Sequence, residues 1–226
     1  MILAARPDTV RCPAVPHPDR HVRQLRVASF WLPLVLVLAI GATACGGNDD
    51  GDDADGGQPE GRTTSGGEPL GPADEGIDGV EAFRVDSNAH TEEDLVYDPA
   101  PPVGGEHFPV PATCGFYADD PPPDELLVHD LEHGAIWIAY DPGLDAAQLD
   151  TLRELVAQEA KVTATPYPGL DAPLVVSAWA RRLALDDAGD PRLLAFIEQY
   201  RSGPEAPESR APCQGDGNPE VVSPSW

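Results

Sequence analysis

The 226-residue sequence is poor in basic side chains, with 14 Lys and Arg against 39 Asp and Glu, a formal net charge of −25, and one lysine, Lys161. Binding to nucleic acid needs cations that displace phosphate counterions, and a polybasic grip on anionic lipid needs them too, so neither partner is expected. Methionine is missing after Met1, which removes the thioether ligands of a Met-rich copper(I) carrier. No Cys-x-x-Cys occurs, so nothing marks a redox-active dithiol. Aromatics make up 6% and hydrophobic residues 41% of the chain, which allows one modest core. Against these shortages stand 22 glycines and 26 prolines, about a fifth of the chain, a composition of long stretches without regular structure. At about 150 residues per domain, the length allows one domain with appendages or two small ones.

One long apolar run is present. Val27 to Ala44 is eighteen residues without a charge, preceded by Arg20, Arg23 and Arg26 and followed by Cys45-Gly46-Gly47. A basic lead, an apolar stretch and small residues make a secretory signal pattern. It resembles a bacterial lipoprotein signal, in which the cysteine (here Cys45) is lipidated and becomes the new N-terminus, although Ala42 stands where such signals usually carry Leu. The alternatives are an uncleaved anchor, since about 18 apolar residues just span a bilayer, and cleaved secretion. The Pro-rich lead before Val22 is long for such a signal and suggests a start downstream of Met1. Residues 1–45 are therefore expected to be a signal or membrane anchor. The membrane is then a partner through that lipid or anchor, and the rest faces outside the cytoplasm at the cell membrane. Removing the leader leaves 37 acidic against nine basic side chains.

Residues 46–78 are dense in Gly and Asp and nearly free of apolar side chains, so they are expected to be a disordered linker that extends by self-repulsion. The acidic run Asp49 to Asp55 lacks the twelve-residue loop pattern of a calcium site. Residues 79–217 carry the periodic patterns of one α+β domain, and residues 218–226 are left as a tail. Val80–Val85 alternates as a strand, with a shorter one over Asp94–Tyr97. A helix follows the prolines over Glu125–His133 and stops at Gly134. Ala135–Tyr140 is an apolar strand, and Asp145–Ala160 is an amphipathic helix with Leu149, Leu152, Leu155 and Val156 on one face. Strands are expected at Lys161–Thr165 and Leu174–Trp179, the latter running on toward Leu185, with a hairpin across Tyr167–Pro173. Asp190–Arg201 is a last helix, with Leu193, Leu194, Ile197 and Tyr200 inward. The order implies a single mixed sheet with about three helices packed on it.

Of the four cysteines, Cys12 falls in the leader and Cys45 is the lipidation candidate. Cys114 and Cys213 remain, an even pair in an oxidising compartment, so a disulfide is expected between them. The four histidines of the domain are His90, His107, His129 and His133. In His129-Asp130-Leu131-Glu132-His133, a helix at 100° per residue puts both imidazoles and Glu132 on one face. Two imidazoles one turn apart suit zinc or copper(II). The string also fits the H-x-x-E-H pattern of inverted zinc peptidases, with Glu132 as general base. Against that reading, the helix stops at Gly134, the domain is small, and the third ligand would have to be an acid such as Glu154, Glu198 or Glu205. A structural role is also open, with His133 meeting the helix dipole. His107 follows Gly104-Gly105 in a loop able to approach another backbone closely, and with His90 it is placed to close over the helix face.

From about Gly79 to Gly217 the chain resembles a family of extracytoplasmic bacterial proteins known as domain of unknown function 3105. The matching stretches are His90-Thr91 with Tyr97, Pro101-Pro102-Val103-Gly104-Gly105-Glu106-His107, Cys114-Gly115-Phe116-Tyr117, Val128 to Ala135 with Trp137 and Tyr140, Pro166 to Leu170, Ala178-Trp179, Ala206-Pro207-Glu208 and Ala211-Pro212-Cys213. The resemblance implies an exported or anchored domain with no assigned chemistry, and its pattern includes all four histidines and both cysteines. The expected function is therefore a membrane-tethered extracytoplasmic lipoprotein with a divalent-metal or ligand-binding module. His90, His107, His129, His133 and Glu132 would line one pocket, with zinc or copper(II) as the cofactor. A metal-dependent hydrolase and a purely structural envelope domain are the alternatives.

Overall fold

The fold is described from a computed structural model covering residues 61–73 and 76–224. The apolar segment 27–44, Cys45 and the linker up to residue 60 lie outside the described residues. In chain order the elements are β1 (Arg62–Ser65), β2 (Glu68–Pro72), β3 (Val80–Arg84), β4 (Leu95–Asp98), β5 (Gly115–Phe116), α1 (Asp124–Glu132), β6 (Ile136–Tyr140), α2 (Ala146–Gln158), β7 (Val162–Pro166), β8 (Leu174–Ala178), β9 (Arg181–Leu185), α3 (Pro191–Tyr200) and β10 (Val221–Val222). Eight strands form one mixed sheet in the order β10-β5-β7-β6-β8-β9-β3-β2, and β1 pairs with β4 in a separate parallel ribbon.

The centre of the sheet is the sequence Ile-Trp-Ile-Ala-Tyr. All five residues of β6 are buried, as a strand covered on both faces requires. It runs parallel to β7, which it reaches through α2, and antiparallel to β8. Its side chains alternate between two cores. Ile136, Ile138 and Tyr140 pack with Leu152 and Val156 of α2 and with Leu193, Phe196, Ile197 and Tyr200 of α3. Trp137 and Ala139 belong to the other core, with Leu126, Leu127 and Leu131 of α1, Tyr97 of the ribbon, and Trp179. Helices α2 and α3 thus share one core, and α1 and the ribbon share the other.

The helix ends follow from local chemistry. Asp145 caps α2 by accepting from the N–H groups of Ala147 and Gln148, both at 3.0 Å, and Asp190 caps α3 with Pro191 in its first turn. Gly134 ends α1 at φ +77°, and the reciprocal bonds Gly134 N–H to Leu131 O and Ala135 N–H to Asp130 O, both 2.9 Å, close the terminus. A side chain at Gly134 would press on the Ser202 backbone, 2.8 Å from where its Cβ would sit.

Four sequence expectations need correction. Residues 62–72, within the stretch expected to be linker, form β1 and β2, which join β4 and β3 through main-chain hydrogen bonds that ask for no apolar side chains. Most of their side chains are exposed, so composition carried no sign of them. The expected tail likewise contributes β10, which pairs with β5, and Ser223, which donates to Glu159 O at 2.8 Å and accepts from Val162 N–H at 3.2 Å. No hairpin spans Tyr167–Pro173, because β6 lies between β7 and β8. The hairpin is β8–β9, turning at Trp179-Ala180 with Ala180 at φ +61°. On α3, Leu194 is 48% exposed and Phe196 is buried in its place.

The Cys114–Cys213 disulfide is present, spanning 99 positions with a Cα separation of 5.5 Å. It ties the start of β5 to the segment after α3. A closed loop of that length restricts the unfolded chain by about 4–5 kcal/mol in the chain-entropy model. Replacing both cysteines by Ala is expected to lower unfolding free energy by about 2–5 kcal/mol in urea titrations followed by tryptophan fluorescence. An unchanged midpoint would mean that the tail is held without the bond.

Candidate metal centre

Helix α1 is buried from Glu125 to Glu132, so its polar residues must find partners inside the protein. Glu125 accepts from the Leu95 N–H at 2.6 Å, which fixes the helix to the ribbon. Its other polar face carries His129, Glu132 and, at the C-cap, His133, all less than 10% exposed.

His90 and His107 are brought there by the backbone. The two residues form an isolated parallel bridge, with Thr91 N–H donating to His107 O at 2.8 Å and His107 N–H to Ala89 O at 3.1 Å. Gly105 lets the loop reach this position. Its φ is +124°, and a Cβ there would run into the Ser65 carbonyl, so a side chain would push the loop off the ribbon. The rings of His90, His107 and His129 lie 4.9–5.1 Å apart centre to centre, and His133 lies 4.4 Å from His129. Trp179 meets the edge of His107 at 6.3 Å. The structure therefore places His90, His107, His129, His133 and Glu132 at one end of α1.

Protons on three of the rings are assigned by their neighbours. Nδ1 of His107 faces Gly105 O at 2.8 Å, Nδ1 of His129 faces Phe108 O at 2.7 Å, and Nδ1 of His133 faces Pro212 O at 2.8 Å. A carbonyl only accepts, so each Nδ1 carries a proton and donates it, and a ring that holds no second proton presents its Nε2 lone pair to the others. His107 Nε2 then faces Glu132 Oε2 at 3.0 Å, and His129 Nε2 faces His133 Nε2 at 3.0 Å. Both contacts set acceptor against acceptor unless a proton or another cation lies between. Burial pushes the imidazolium of His107 and of His129 below the ordinary histidine range, which opposes the proton. Glu132 is held below the usual carboxylate range. Burial alone would raise it, but the Asn88 Nδ2 donor at 2.8 Å, together with the charge and N–H that His107 and His90 offer when protonated, outweighs that. The centre is acceptor-rich, with one anionic carboxylate. Carbonyl-anchored imidazoles of fixed tautomer are the usual surroundings of a bound metal ion.

Ligand-capable atoms of His90, His107, His129 and Glu132 all lie within 4.8 Å of one another, an N3O set suited to zinc or copper(II). His90 Nε2 is 3.5 Å from Glu132 Oε2, and its side chain is 45% exposed, so the group opens to solvent on that side. A second group joins Glu132, His133 and Glu208. Sequence reading missed Glu208 and Asn88, which lie 76 and 44 positions from Glu132 with no periodic relation to the helix. The acids it offered as third ligands, Glu154, Glu198 and Glu205, belong to neither group among the described residues. Asp130 points the other way, against the Cys114–Cys213 disulfide, and burial pushes its carboxyl well above the usual range. With both sulfurs in the disulfide, that group has no thiolate for a cation.

The family model described as protein of unknown function (DUF3105) matches residues 89–215. That span takes in the four histidines, Glu132, Glu208 and both cysteines of the disulfide. No curated protein and no solved structure matches the chain.

The opposed acceptors give Glu132→Gln an unusual expected effect. At pH 8 the metal-free variant should be more stable than the parent by roughly 1 kcal/mol, because an amide N–H replaces the oxygen that faces His107 Nε2. Added zinc should then stabilise the parent and not the variant. Thermal melts with chelator and with zinc check both, and a destabilised metal-free variant would mean that His107 is held as an imidazolium.

Proposed function

The chain belongs to the DUF3105 family, and we propose that it is an exported, membrane-tethered lipoprotein whose folded domain binds a divalent cation, zinc or copper(II), on α1. The observation that carries the metal reading is the buried cluster of imidazoles whose Nδ1 atoms are committed to carbonyls, with the His107 Nε2 facing the Glu132 carboxylate and the His129 Nε2 facing that of His133. His90, His107, His129 and Glu132 would be the ligands, and the carbonyls of Gly105 and Phe108 with the Asn88 amide would orient them. The protein's contribution is orientation and selectivity, since neutral nitrogen donors favour zinc and copper over the harder calcium and magnesium. Glu132 serves as a ligand in this reading. Its Oε2 lies among the donor atoms and its Oε1 is held by Asn88, so neither oxygen is free to act as a general base. The export part is supported by the disulfide and by the apolar segment that ends at Cys45.

Calorimetric titration of the purified full-length chain with zinc is expected to show binding at micromolar affinity or tighter. His107→Ala and His129→Ala should each weaken it by at least tenfold, and Asn88→Ala by about 10–100-fold through loss of ligand orientation. Equal zinc uptake by the parent and the double variant His107→Ala/His129→Ala would remove the metal reading. For the tether, Cys45→Ala is expected to move the protein from the membrane to the soluble fraction of fractionated cells. Unchanged membrane retention would favour an uncleaved anchor.

A further inference from the structure

The end of α1 carries more donor atoms than one ion can use. His90, His107, His129 and Glu132 form one mutually close group, and His133 and Glu208 form another with the same Glu132. A zinc-like ion binds N and O donors at about 2.0–2.2 Å and usually takes four of them, so six donors in two overlapping groups exceed one coordination sphere. We propose that α1 holds a pair of divalent-cation subsites bridged by the Glu132 carboxylate, the second built from His133 and Glu208. The proposal rests on the metal reading of the first group and adds a second ion with its own ligands.

The second subsite has the features of the first. His133 has its Nδ1 proton committed to Pro212 O at 2.8 Å, which leaves Nε2 as the ring nitrogen able to bind an ion. That nitrogen stands 3.6 Å from Glu208 Oε2, too far for a hydrogen bond and close to the spacing of two ligands around a shared ion. The segment that carries Glu208 is also fixed in place. Glu208 N–H donates to Glu132 O at 3.0 Å, tying its backbone to the last residue of α1. Lys161, 8% exposed, donates from Nζ to His133 O and to Ser209 O, both at 2.9 Å. The one lysine of the chain thus clamps the helix end to the residue after Glu208, and the disulfide at Cys213 holds the same segment one residue beyond the carbonyl that orients His133.

The two subsites differ in access. His107, His129 and Glu132 of the first are at most 4% exposed and it reaches solvent only beside His90, whereas the Glu208 side chain is 58% exposed and lines an open cavity of about 410 Å³ with Pro207, Ser209, Arg210 and Ala211. The second ion has two or three protein ligands and its remaining coordination positions face solvent, so it is the weaker and more exchangeable of the pair.

Stoichiometry and magnetic coupling test this on the full-length chain. Zinc content after equilibrium dialysis is measured for the parent, for Glu208→Gln, and for the triple variant His107→Ala/His129→Ala/His133→Ala, which supplies the background taken up by acidic surface. Two equivalents above background are expected in the parent, one binding at least tenfold more weakly, and Glu208→Gln should lose that one alone. The copper(II)-loaded parent should show the dipolar broadening of two ions within a few ångströms by paramagnetic resonance, a readout that does not depend on any variant folding. One equivalent that Glu208→Gln leaves unchanged, or an isolated-ion copper spectrum at full loading, would overturn the second subsite and keep the first. No zinc above background would overturn both. Loss of both equivalents in Glu208→Gln would also count against two separable subsites.

Discussion

A helix buried on every side and yet carrying Glu125, His129, Asp130, Glu132 and His133 is the constraint on which the rest of this structure depends. Each of those groups leaves water on folding and must recover what it loses from a partner or from a changed protonation state. Glu125 takes the Leu95 amide, burial pushes the Asp130 carboxyl well above its usual range, and the three remaining groups turn toward one another and toward the carbonyls of Phe108 and Pro212. Long-range elements converge on this helix because its side chains supply the polar partners there. The ribbon and the 202–213 segment add Leu95, Tyr97 and Ala206 to the core beside α1, and they and the His90–His107 bridge are tied to the helix and its surroundings by polar contacts as well.

The sheet works in the opposite way. β6 and β8 divide their largely apolar side chains between the two cores and β7 adds Val162 and Ala164 to one of them, so they form a rigid floor whose position depends little on protonation or ligand. The centre sits on the face that is covered by one short helix and by irregular chain. A site assembled from loops across a rigid sheet keeps its geometry only if the loops are tied down. Here the ties are identifiable: the bridge at His90 and His107, the close approach allowed by Gly105, the Lys161 clamp and the disulfide. Lys161 is informative because a buried ammonium is costly without donor–acceptor partners. It lies against two carbonyls and the Ser202 hydroxyl at the negative end of α1, where the helix dipole favours a cation.

What was legible in the sequence divides along the same line. The helices and central strands carried period and apolar runs, and the helix caps were spelled out by Asp145, Asp190 and Gly134. The face shared by His129, Glu132 and His133 followed from helical spacing alone. Cys114 and Cys213 followed from counting, once the leader was set aside. β1, β2 and β10 were not legible, because an edge strand joined by main-chain hydrogen bonds and facing water leaves no hydrophobic trace. The β8–β9 hairpin was hidden by a two-residue turn without Gly or Asn, in which Ala180 takes the positive φ. Asn88 and Glu208 reach Glu132 through tertiary approach, which spacing along the chain does not encode.

The acidity of the chain bears on the centre in a limited way. An excess of 25 negative charges concentrates cations near the surface, but exposed carboxylates in water discriminate poorly among them. Selection has to come from donors whose own affinity differs between ions, and here those are neutral nitrogens with fixed tautomers. A buried imidazole whose Nδ1 is tied to a carbonyl cannot turn away to solvent, so the cost of organising it is met on folding and not on binding. That division explains why the polar network is distributed over so many elements. The carbonyls that anchor the rings come from two stretches of chain, the loop before β5 for His107 and His129 and the segment beside the disulfide for His133. Loosening any one of them frees one donor and leaves the others aimed, so the affinity of the centre should degrade stepwise and not collapse with the loss of a single contact.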